Sequence, residues 1–217
     1  MRDFVLVTGM VLKTGNVGEY DRRLVLLTRE RGKITVFARG ARRQNSRFMA
    51  ACTPFSFGEF KLYEGKSAYN LMDVSVSNYF EELRSDYTGA CYGMYFLEVA
   101  DYYGRENNDE VELLKLLYQS LRALSNEHLH NRLIRYIYEM KVLCVNGEFP
   151  GIPKDREYLP PTVYTIQYIE ASSIEKLYTF TVSDEVLSEL SQIAGKLRAR
   201  FIGGSFKSLS ILEEMGI

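Results

Sequence analysis

The side chains best suited to act on a partner are a run of cations in the first quarter of the chain. Between Arg22 and Arg47 the sequence has nine basic residues and a single acid. Three aromatic residues, Tyr20, Phe37 and Phe48, lie among or beside them. Cations neutralise phosphates and exposed rings stack on bases, so this combination is typical of proteins that bind single-stranded nucleic acid. A solvated surface is the alternative interpretation of a charge run taken alone.

The distribution of charge along the 217 residues supports a polyanionic partner. The formal net charge is −1, but residues 1–80 carry +6 and the remainder carries −7. Such asymmetry between the two parts of a chain indicates that the basic part meets a polyanion.

Two other motifs could do chemistry, and neither has the required spacing. His128 and His130 are the only histidines, and two ligands without a nearby cysteine do not make a structural zinc site. We expect them at the solvated start of a helix. Lys207, in the glycine-containing stretch 203–208, does not follow a glycine as the lysine of a phosphate-binding loop does. That stretch is predicted to be a flexible lead into the last helix.

A group of carboxylates could in principle hold the metal ions of a nuclease. They are Glu98, Asp101, Glu106, Asp109 and Glu110. Acidic residues near helix ends more often pair with helix dipoles or face solvent. The sequence therefore predicts a protein that is not an enzyme.

The elements that must position the cations begin with five runs of alternating or β-branched residues. These runs are Phe4–Leu12, Leu24–Thr28, Lys33–Arg39, Phe55–Tyr63 and Tyr69–Ser77. Period-two runs separated by turns predict a small antiparallel barrel, with Gly32 at positive φ in a hairpin turn. Five strands in about eighty residues favour an OB-type barrel. An SH3-like barrel would give a similar pattern.

The rest of the chain has mostly helical periodicity. Helices are predicted within Glu81–Tyr103, Asp109–Leu124 and Asn126–Cys144, then after Ser183 and from Phe206 to Met215. The runs Thr162–Glu170 and Glu175–Thr181 predict a short β-hairpin between them.

Together these elements predict an α+β fold with two domains. The first is a five-stranded OB-fold barrel over residues 1–79. The second is an all-helical domain over residues 80–217, with a short β-hairpin insertion at about 151–182.

Cysteine usage and the N-terminal sequence indicate a reducing compartment. The three cysteines are far apart and none is in a C-x-x-C pair. The sequence shows neither a secretory signal nor an apolar run long enough to cross a membrane. A cytoplasmic location is predicted.

Several short motifs make the chain similar to a known family. In the basic part they are Val11–Thr14, Gly18–Asp21, Leu27–Lys33, Arg39–Arg47 and Pro54–Phe55. In the helical part they are Tyr95–Glu98, Leu143 with Gly147 and Pro150, and Phe206–Leu209. The sequence resembles the bacterial recombination mediator family RecO over most of its length.

This resemblance implies a DNA-binding OB-fold followed by a partner-binding helical domain. It implies binding to single- and double-stranded DNA, annealing of complementary strands, and a location at the nucleoid during repair. It further implies partnership with RecR and with the C-terminal tail of the single-strand binding protein SSB, to load the recombinase RecA.

One departure from the family concerns a metal. Many relatives carry a four-cysteine zinc module after the Gly147–Pro150 turn, but residues 151–181 contain no cysteine here. We therefore expect no zinc and no other cofactor.

The basic residues of the barrel are the predicted DNA site. The predicted DNA-binding residues are Lys13, Arg22, Arg23, Arg29, Arg31, Lys33, Arg39, Arg42, Arg43 and Arg47. The predicted base-stacking residues are Tyr20, Phe37 and Phe48. The alternatives are a protein–protein adaptor, whose basic loop contacts an acidic protein, and an OB-fold that binds RNA.

Overall fold

The computed structural model describes residues 4–66 and 68–216. By internal contacts the chain forms two compact units, the first comprising Met1–Glu81 with Ala100–Leu114 and the second Glu82–Val99 with Lys115–Ile217. Residues 100–114, which include the end of a helix that finishes at Tyr103 and the start of one that begins at Val111, thus group with the strands.

The first unit is built around a closed barrel of five strands. They are β1 (Phe4–Val17), β2 (Asp21–Thr28), β3 (Gly32–Ala38), β4 (Phe57–Glu64) and β5 (Tyr69–Asn78). The strand order is β1-β2-β3-β5-β4, closed by antiparallel pairing of β1 with β4, and only β3 and β5 pair in parallel. This arrangement confirms the OB-type barrel predicted from the sequence.

A bend in β1 allows the barrel to close. Residues from Phe4 to Met10 pair with β4, and residues from Gly9 to Val17 pair with β2, with a register shift between Val11 and Lys13. Such a bulge increases the local bend and twist of a strand. On β4, a Cβ added at Gly58 would lie 2.1 Å from the Ser75 carbonyl oxygen, so the close approach of β4 and β5 requires glycine there.

The barrel core comes from the inward-facing positions of the alternating strands. Its fully buried members include Leu24, Leu26, Ile34, Val36 and Phe60. Because side chains alternate across a strand, burying these positions turns Arg23, Val25, Thr35 and Phe37 to the outer face.

Residues 104–107 pair with the turn between β2 and β3. Gly32 has φ +63°, as predicted for this turn, and a Cβ there would lie 2.3 Å from the Arg105 carbonyl oxygen. The Lys33 amide donates to that oxygen at 2.9 Å, and the Asn107 amide donates to the Arg31 carbonyl at 3.1 Å. The main chain therefore anchors this segment at the edge of β3.

Seven α-helices make up most of the rest of the described residues. They are α1 (Glu81–Ser85), α2 (Tyr87–Tyr103), α3 (Val111–Leu124), α4 (Asn131–Val145), α5 (Pro160–Ala171), α6 (Asp184–Phe201) and α7 (Lys207–Glu214), with a 3₁₀ turn at Ile174–Lys176. Ser183 begins α6 as predicted, and its Oγ accepts from the Val186 amide at 3.5 Å.

Helix α4 is the most buried helix of the second unit. Every residue from Leu133 to Leu143 is buried, including three charged ones. The Glu139 Oε1 accepts from Arg135 Nε at 3.0 Å and from the Tyr95 hydroxyl at 2.8 Å. The partners of Glu139 Oε1 lower the cost of burying this charge, while its Oε2 is buried without a hydrogen-bond partner among the described residues.

The predicted β-hairpin within residues 151–182 is wrong. Its first run lies in α5, and its second covers the 3₁₀ turn and irregular chain. Pro160 and Pro161 occupy the first helical positions, where a missing N–H has no cost. The buried residues Thr162, Thr165, Ile166 and Ile169 are spaced as one face of a helix. This packing outweighs the strand preference of β-branched residues.

Candidate nucleic-acid interface

The outer face of β2 and β3 places a cation beside an aromatic ring. Arg23 is directly opposite Phe37, and Val25 is directly opposite Thr35. Arg23 is exposed and Phe37 is half-buried. Side chains directly opposite each other on one face have Cβ atoms ~5 Å apart, so Arg23 and Phe37 form a surface that can meet a phosphate and a base together.

This face forms one wall of a groove of about 600 Å³, called the β2–β3 groove below. Its charged lining residues are Lys13, Arg23, Lys33, Glu64, Lys66, Asp101 and Glu106. The uncharged lining includes Val25, Thr35 and Tyr69. The groove therefore contains four cations and three acids, and Lys66 is a member that the sequence reasoning missed.

Two of the predicted cations in the groove are already paired. The Lys33 Nζ lies 3.2 Å from Asp101 Oδ1, and the Lys13 Nζ lies 3.6 Å from Asp101 Oδ2. Lys33 Nζ also donates to the Asp101 carbonyl oxygen. The sequence reasoning placed Asp101 among helix-end acids and did not foresee this contact.

The second part of the interface is the basic loop, residues 39–47, which follows β3. The Gly40 amide donates to Asp21 Oδ1 at 2.8 Å, and the Arg42 amide donates to the Tyr20 carbonyl at 2.9 Å. Ala41 is fully buried in the barrel core. The loop is therefore held against the β1–β2 turn.

Arg22 holds the chain that follows the basic loop. Its Nη1 donates to the Cys52 carbonyl at 2.7 Å and to the Met49 carbonyl at 3.3 Å. Its guanidinium is thus used to hold the chain between β3 and β4, and its predicted phosphate contact would compete with these bonds.

The exposed cations of the basic loop are Arg39, Arg42, Arg43 and Arg47. Arg43 lies over the Tyr20 ring at 5.4 Å from its centroid, and Arg42 Nη1 donates to the Gly18 carbonyl at 3.4 Å. The loop therefore projects a cluster of guanidinium groups beside an exposed ring.

Arg47 differs from the other loop cations because β5 engages it. Its Nη2 donates to the Met72 carbonyl at 2.8 Å, and its Nη1 lies 3.3 Å from Asp73 Oδ1. Its guanidinium also lies over the Phe48 ring. Phe48 itself packs against the barrel core, so its exposed area for stacking on a base is small.

Arg29 and Arg31 lie away from the basic loop, at the turn between β2 and β3. They line a separate groove of about 530 Å³ with Asn107, Asn108 and Asp109. The ten predicted cations therefore fall into three places: the basic loop together with Arg22, which binds the chain that follows it, the β2–β3 groove, and this turn.

Burial changes the acidity of two groups near the interface. It raises the pKa of the Cys52 thiol to about 11, against a smaller opposing effect of Arg22. It also raises the pKa of the Tyr69 hydroxyl, and the carboxylate of Glu64 adds to that effect. Neither group is ionised near neutral pH, so neither adds negative charge to the basic surface.

The residues considered for catalysis have structural contacts instead. Glu98 accepts from the Ser208 amide at 3.2 Å and from its hydroxyl at 3.1 Å, at the N-terminus of α7. His130 occupies the N-cap position of α4. Within residues 4–66 and 68–216, no group of three or more His, Cys, Asp or Glu side chains is placed to hold a metal ion.

No helix in the described part of the chain is both long enough and apolar enough to span a bilayer.

Two family models match the chain. Residues 1–80 match the recombination protein O N-terminal model, and residues 84–154 match the recombination protein O C-terminal model.

Curated relatives carry the corresponding name. The chain is 33% identical over 138 residues to DNA repair protein RecO of Clostridium novyi (strain NT), an alignment covering 64% of this chain and 54% of that protein. It is 23% identical to DNA repair protein RecO of Acetivibrio thermocellus, with 98% of each chain covered. The Bacillus subtilis (strain 168) protein of the same name is 26% identical, with 95% of this chain and 93% of that protein covered.

The matched regions include both the strands that carry the basic face and the helices that follow them. The most similar stretches span little more than half the length of the relatives concerned, as with Clostridium novyi, while the more distant matches span nearly whole chains. The barrel, the helical region and these matches together show that the chain belongs to the RecO family.

Proposed function

We propose that this protein is a non-catalytic mediator of DNA repair and recombination. It binds single- and double-stranded DNA through its barrel and anneals complementary strands. With RecR it helps to load RecA onto single strands coated with SSB. The observation that carries this proposal is the basic loop beside Tyr20, together with the Arg23–Phe37 pair on the barrel face.

The physical basis is non-specific recognition of a flexible strand. Guanidinium groups on the loop would bind successive phosphates, and Tyr20 and Phe37 would stack on bases. Stacking on an aromatic ring contributes ~1–3 kcal/mol per base and depends little on sequence, because every base has a π face. Weak dependence on sequence is what a protein acting at any DNA gap needs.

Annealing of SSB-coated strands tests the proposal directly. Complementary oligonucleotides are saturated with SSB and mixed with and without the protein, and duplex formation is followed by fluorescence quenching. We expect the protein to accelerate annealing at least several-fold. An unchanged rate, together with absence of binding to naked oligonucleotides, would instead favour the protein adaptor. A competition between RNA and DNA oligomers of one sequence separates the RNA-binding alternative.

The protein partners are assigned to the helical unit in this proposal. A groove of about 660 Å³ lies there, lined by Tyr92, Leu124, Leu129, Arg132 and other residues of α1, α2 and the α3–α4 connection. Its lining combines apolar side chains with Arg132 and the acids Glu82, Asp86 and Glu127, and we propose it as the site for a short peptide such as the SSB tail. Binding of a labelled SSB C-terminal peptide, compared between the wild type and Leu129→Glu, tests this placement.

We further propose that the protein functions without zinc. The 151–182 segment is packed by Ile166, Ile169, Ile174 and Leu177, all buried, and contains no cysteine. Metal analysis of protein purified without a histidine tag is expected to find far less than one zinc per chain. Incubation with EDTA should leave the melting temperature unchanged, because no metal bond stabilises the fold. Stoichiometric zinc, or a lowered melting temperature, would contradict the proposal.

A further inference from the structure

The Asp101 carboxylate lies between two cations of the barrel surface. Its two oxygens are divided between them: Oδ1 lies 3.2 Å from the Lys33 ammonium and Oδ2 lies 3.6 Å from that of Lys13. Lys13 is on β1 and Lys33 is on β3, so the acid joins two strands with β2 between them. All three residues line the β2–β3 groove.

This arrangement resembles an anion-binding site in which the Asp101 carboxylate takes the place of a bound anion. A phosphodiester also carries one negative charge and presents two outward oxygens. Two ammonium groups that share a carboxylate in this way are therefore placed to share a phosphate. The same contact pairs Lys13 and Lys33, two of the predicted DNA-binding residues, with an acid.

The exposure of these groups indicates that the carboxylate can be displaced. The Lys13 side chain is 66% exposed, and those of Lys33 and Asp101 are each 27% exposed. Ion pairs between solvent-exposed side chains contribute little to stability. Lys33 has a second anchor in the Asp101 carbonyl oxygen, so its ammonium stays in place when the carboxylate leaves.

We propose that Lys13 and Lys33 form a phosphate-binding site that Asp101 occupies in the free protein and vacates when nucleic acid binds. Asp101 thereby acts as an internal competitor that lowers affinity for DNA at the β2–β3 groove. This inference rests on the proposed DNA-binding function. Its consequence is a moderate affinity, which allows strands to leave the barrel after they are paired.

Removing the competing charge tests the inference. Asp101→Asn keeps the size of the side chain and the carbonyl contact to Lys33. It should bind oligo-dT about 5- to 25-fold more tightly at 0.1 M salt, because one or two phosphate contacts, each contributing ~0.7 log unit, no longer have to displace a carboxylate. The slope of log affinity against log salt should steepen, because salt weakens the competing ion pairs of the wild type and Asp101→Asn has none. Asp101→Ala should show the same gain, which guards against a folding defect peculiar to asparagine.

Lys13 separates this mechanism from a general effect of charge. In the wild type, Lys13→Ala should lower affinity by less than the ~5-fold that one phosphate contact contributes, because the substitution also removes the competing ion pair with Asp101. In the Asp101→Asn background the same substitution should remove most of the gain. The matched control is Glu106→Gln, which removes one negative charge from the same groove and should change affinity less than 2-fold.

The outcomes distinguish this inference from the proposed function. If the wild type binds oligo-dT and both Asp101 variants bind it with the same affinity as the wild type, the role of Asp101 as an internal competitor is refuted. The proposed DNA binding is then unaffected. An equal gain from Glu106→Gln would also refute it, in favour of long-range electrostatics. Absence of oligo-dT binding by the wild type and by every variant would refute the proposed function itself.

Discussion

A variant in which Arg39, Arg42 and Arg43 are replaced together by alanine is expected to bind oligo-dT about 100-fold more weakly than the wild type at 0.1 M salt. Each phosphate neutralised on a single strand releases ~0.7 counterion, which corresponds to ~0.7 log unit of affinity at that concentration. Three lost contacts therefore remove about two log units. This is the largest effect on binding that the proposed interface predicts.

The structure decides which cations of the basic loop belong in this variant. Arg39, Arg42 and Arg43 are exposed and, within the described residues, form no ion pair with a carboxylate. Arg47 is held by Asp73 and by the Met72 carbonyl, so its loss would also disturb β5. Substitutions at exposed positions usually change stability by less than ~0.5 kcal/mol each, so the triple variant should fold.

Fluorescence anisotropy between 50 and 300 mM salt measures both affinity and its salt dependence. With four to six phosphates neutralised, the wild-type slope of log affinity against log salt should be about −3 to −4, and three lost contacts should make it shallower by about 2. The control is Lys154, Lys176 and Lys207 replaced together by alanine, an equal loss of charge at exposed helical-unit positions. A flat wild-type slope, or equal losses in both triple variants, would remove the basic loop from the site.

The barrel was predictable because its sequence and its packing use the same period. Lys33–Arg39 alternates in sequence, and Ile34, Val36 and Ala38 are the residues it buries. The Gly32 turn was also predictable, since glycine is the residue that adopts positive φ without strain. Both features depend on residues that are neighbours in sequence, so strand periodicity and the conformational freedom of glycine were enough to predict them.

For the candidate site, the sequence predicted the clustering of basic residues but not the contacts that each of them makes. The partners of its cations come from distant parts of the chain: Cys52 for Arg22, Met72 and Asp73 for Arg47, and Asp101 for Lys33. No local pattern relates residues separated by 25 or more positions, as these are. Which cations are free to meet a ligand therefore depends on tertiary structure.

For helix α5, a local residue preference led to a wrong prediction. Residues 162–169 are rich in threonine, valine, tyrosine and isoleucine, which favour strands. The residues that α5 buries are spaced as one face of a helix. Tertiary packing therefore outweighs the strand preference of these residue types.

Lys141→Met is expected to lower the free energy of unfolding by about 3 kcal/mol. The Lys141 ammonium, on the buried helix α4, donates to the carbonyl oxygens of Ile169 at 3.0 Å, Glu170 at 3.0 Å and Ser172 at 2.7 Å. These carbonyls lie at the C-terminus of α5, where helical carbonyls lack partners within the helix and the dipole favours a cation. Hydrogen bonds to a charged group contribute ~1.5–3 kcal/mol, and desolvation of the ammonium offsets part of the total.

Methionine is the informative replacement because it retains an unbranched apolar chain and removes only the charge and the donors. At ~2–4 °C per kcal/mol for a chain of this size, thermal melting followed by circular dichroism at 222 nm should shift down by about 6–12 °C. Lys176→Met is the matched control: Lys176 is exposed in the same segment, and its loss should shift the melting temperature by less than about 2 °C.

The folded Lys141→Met protein should still bind oligo-dT with wild-type affinity at 20 °C, because every residue of the proposed interface lies in the barrel unit. A melting temperature equal to that of the wild type would show that the three hydrogen bonds contribute no net stability. A stable variant with lost DNA affinity would instead place part of the interface in the helical unit. With the expected result, one buried ammonium anchors the C-terminus of α5.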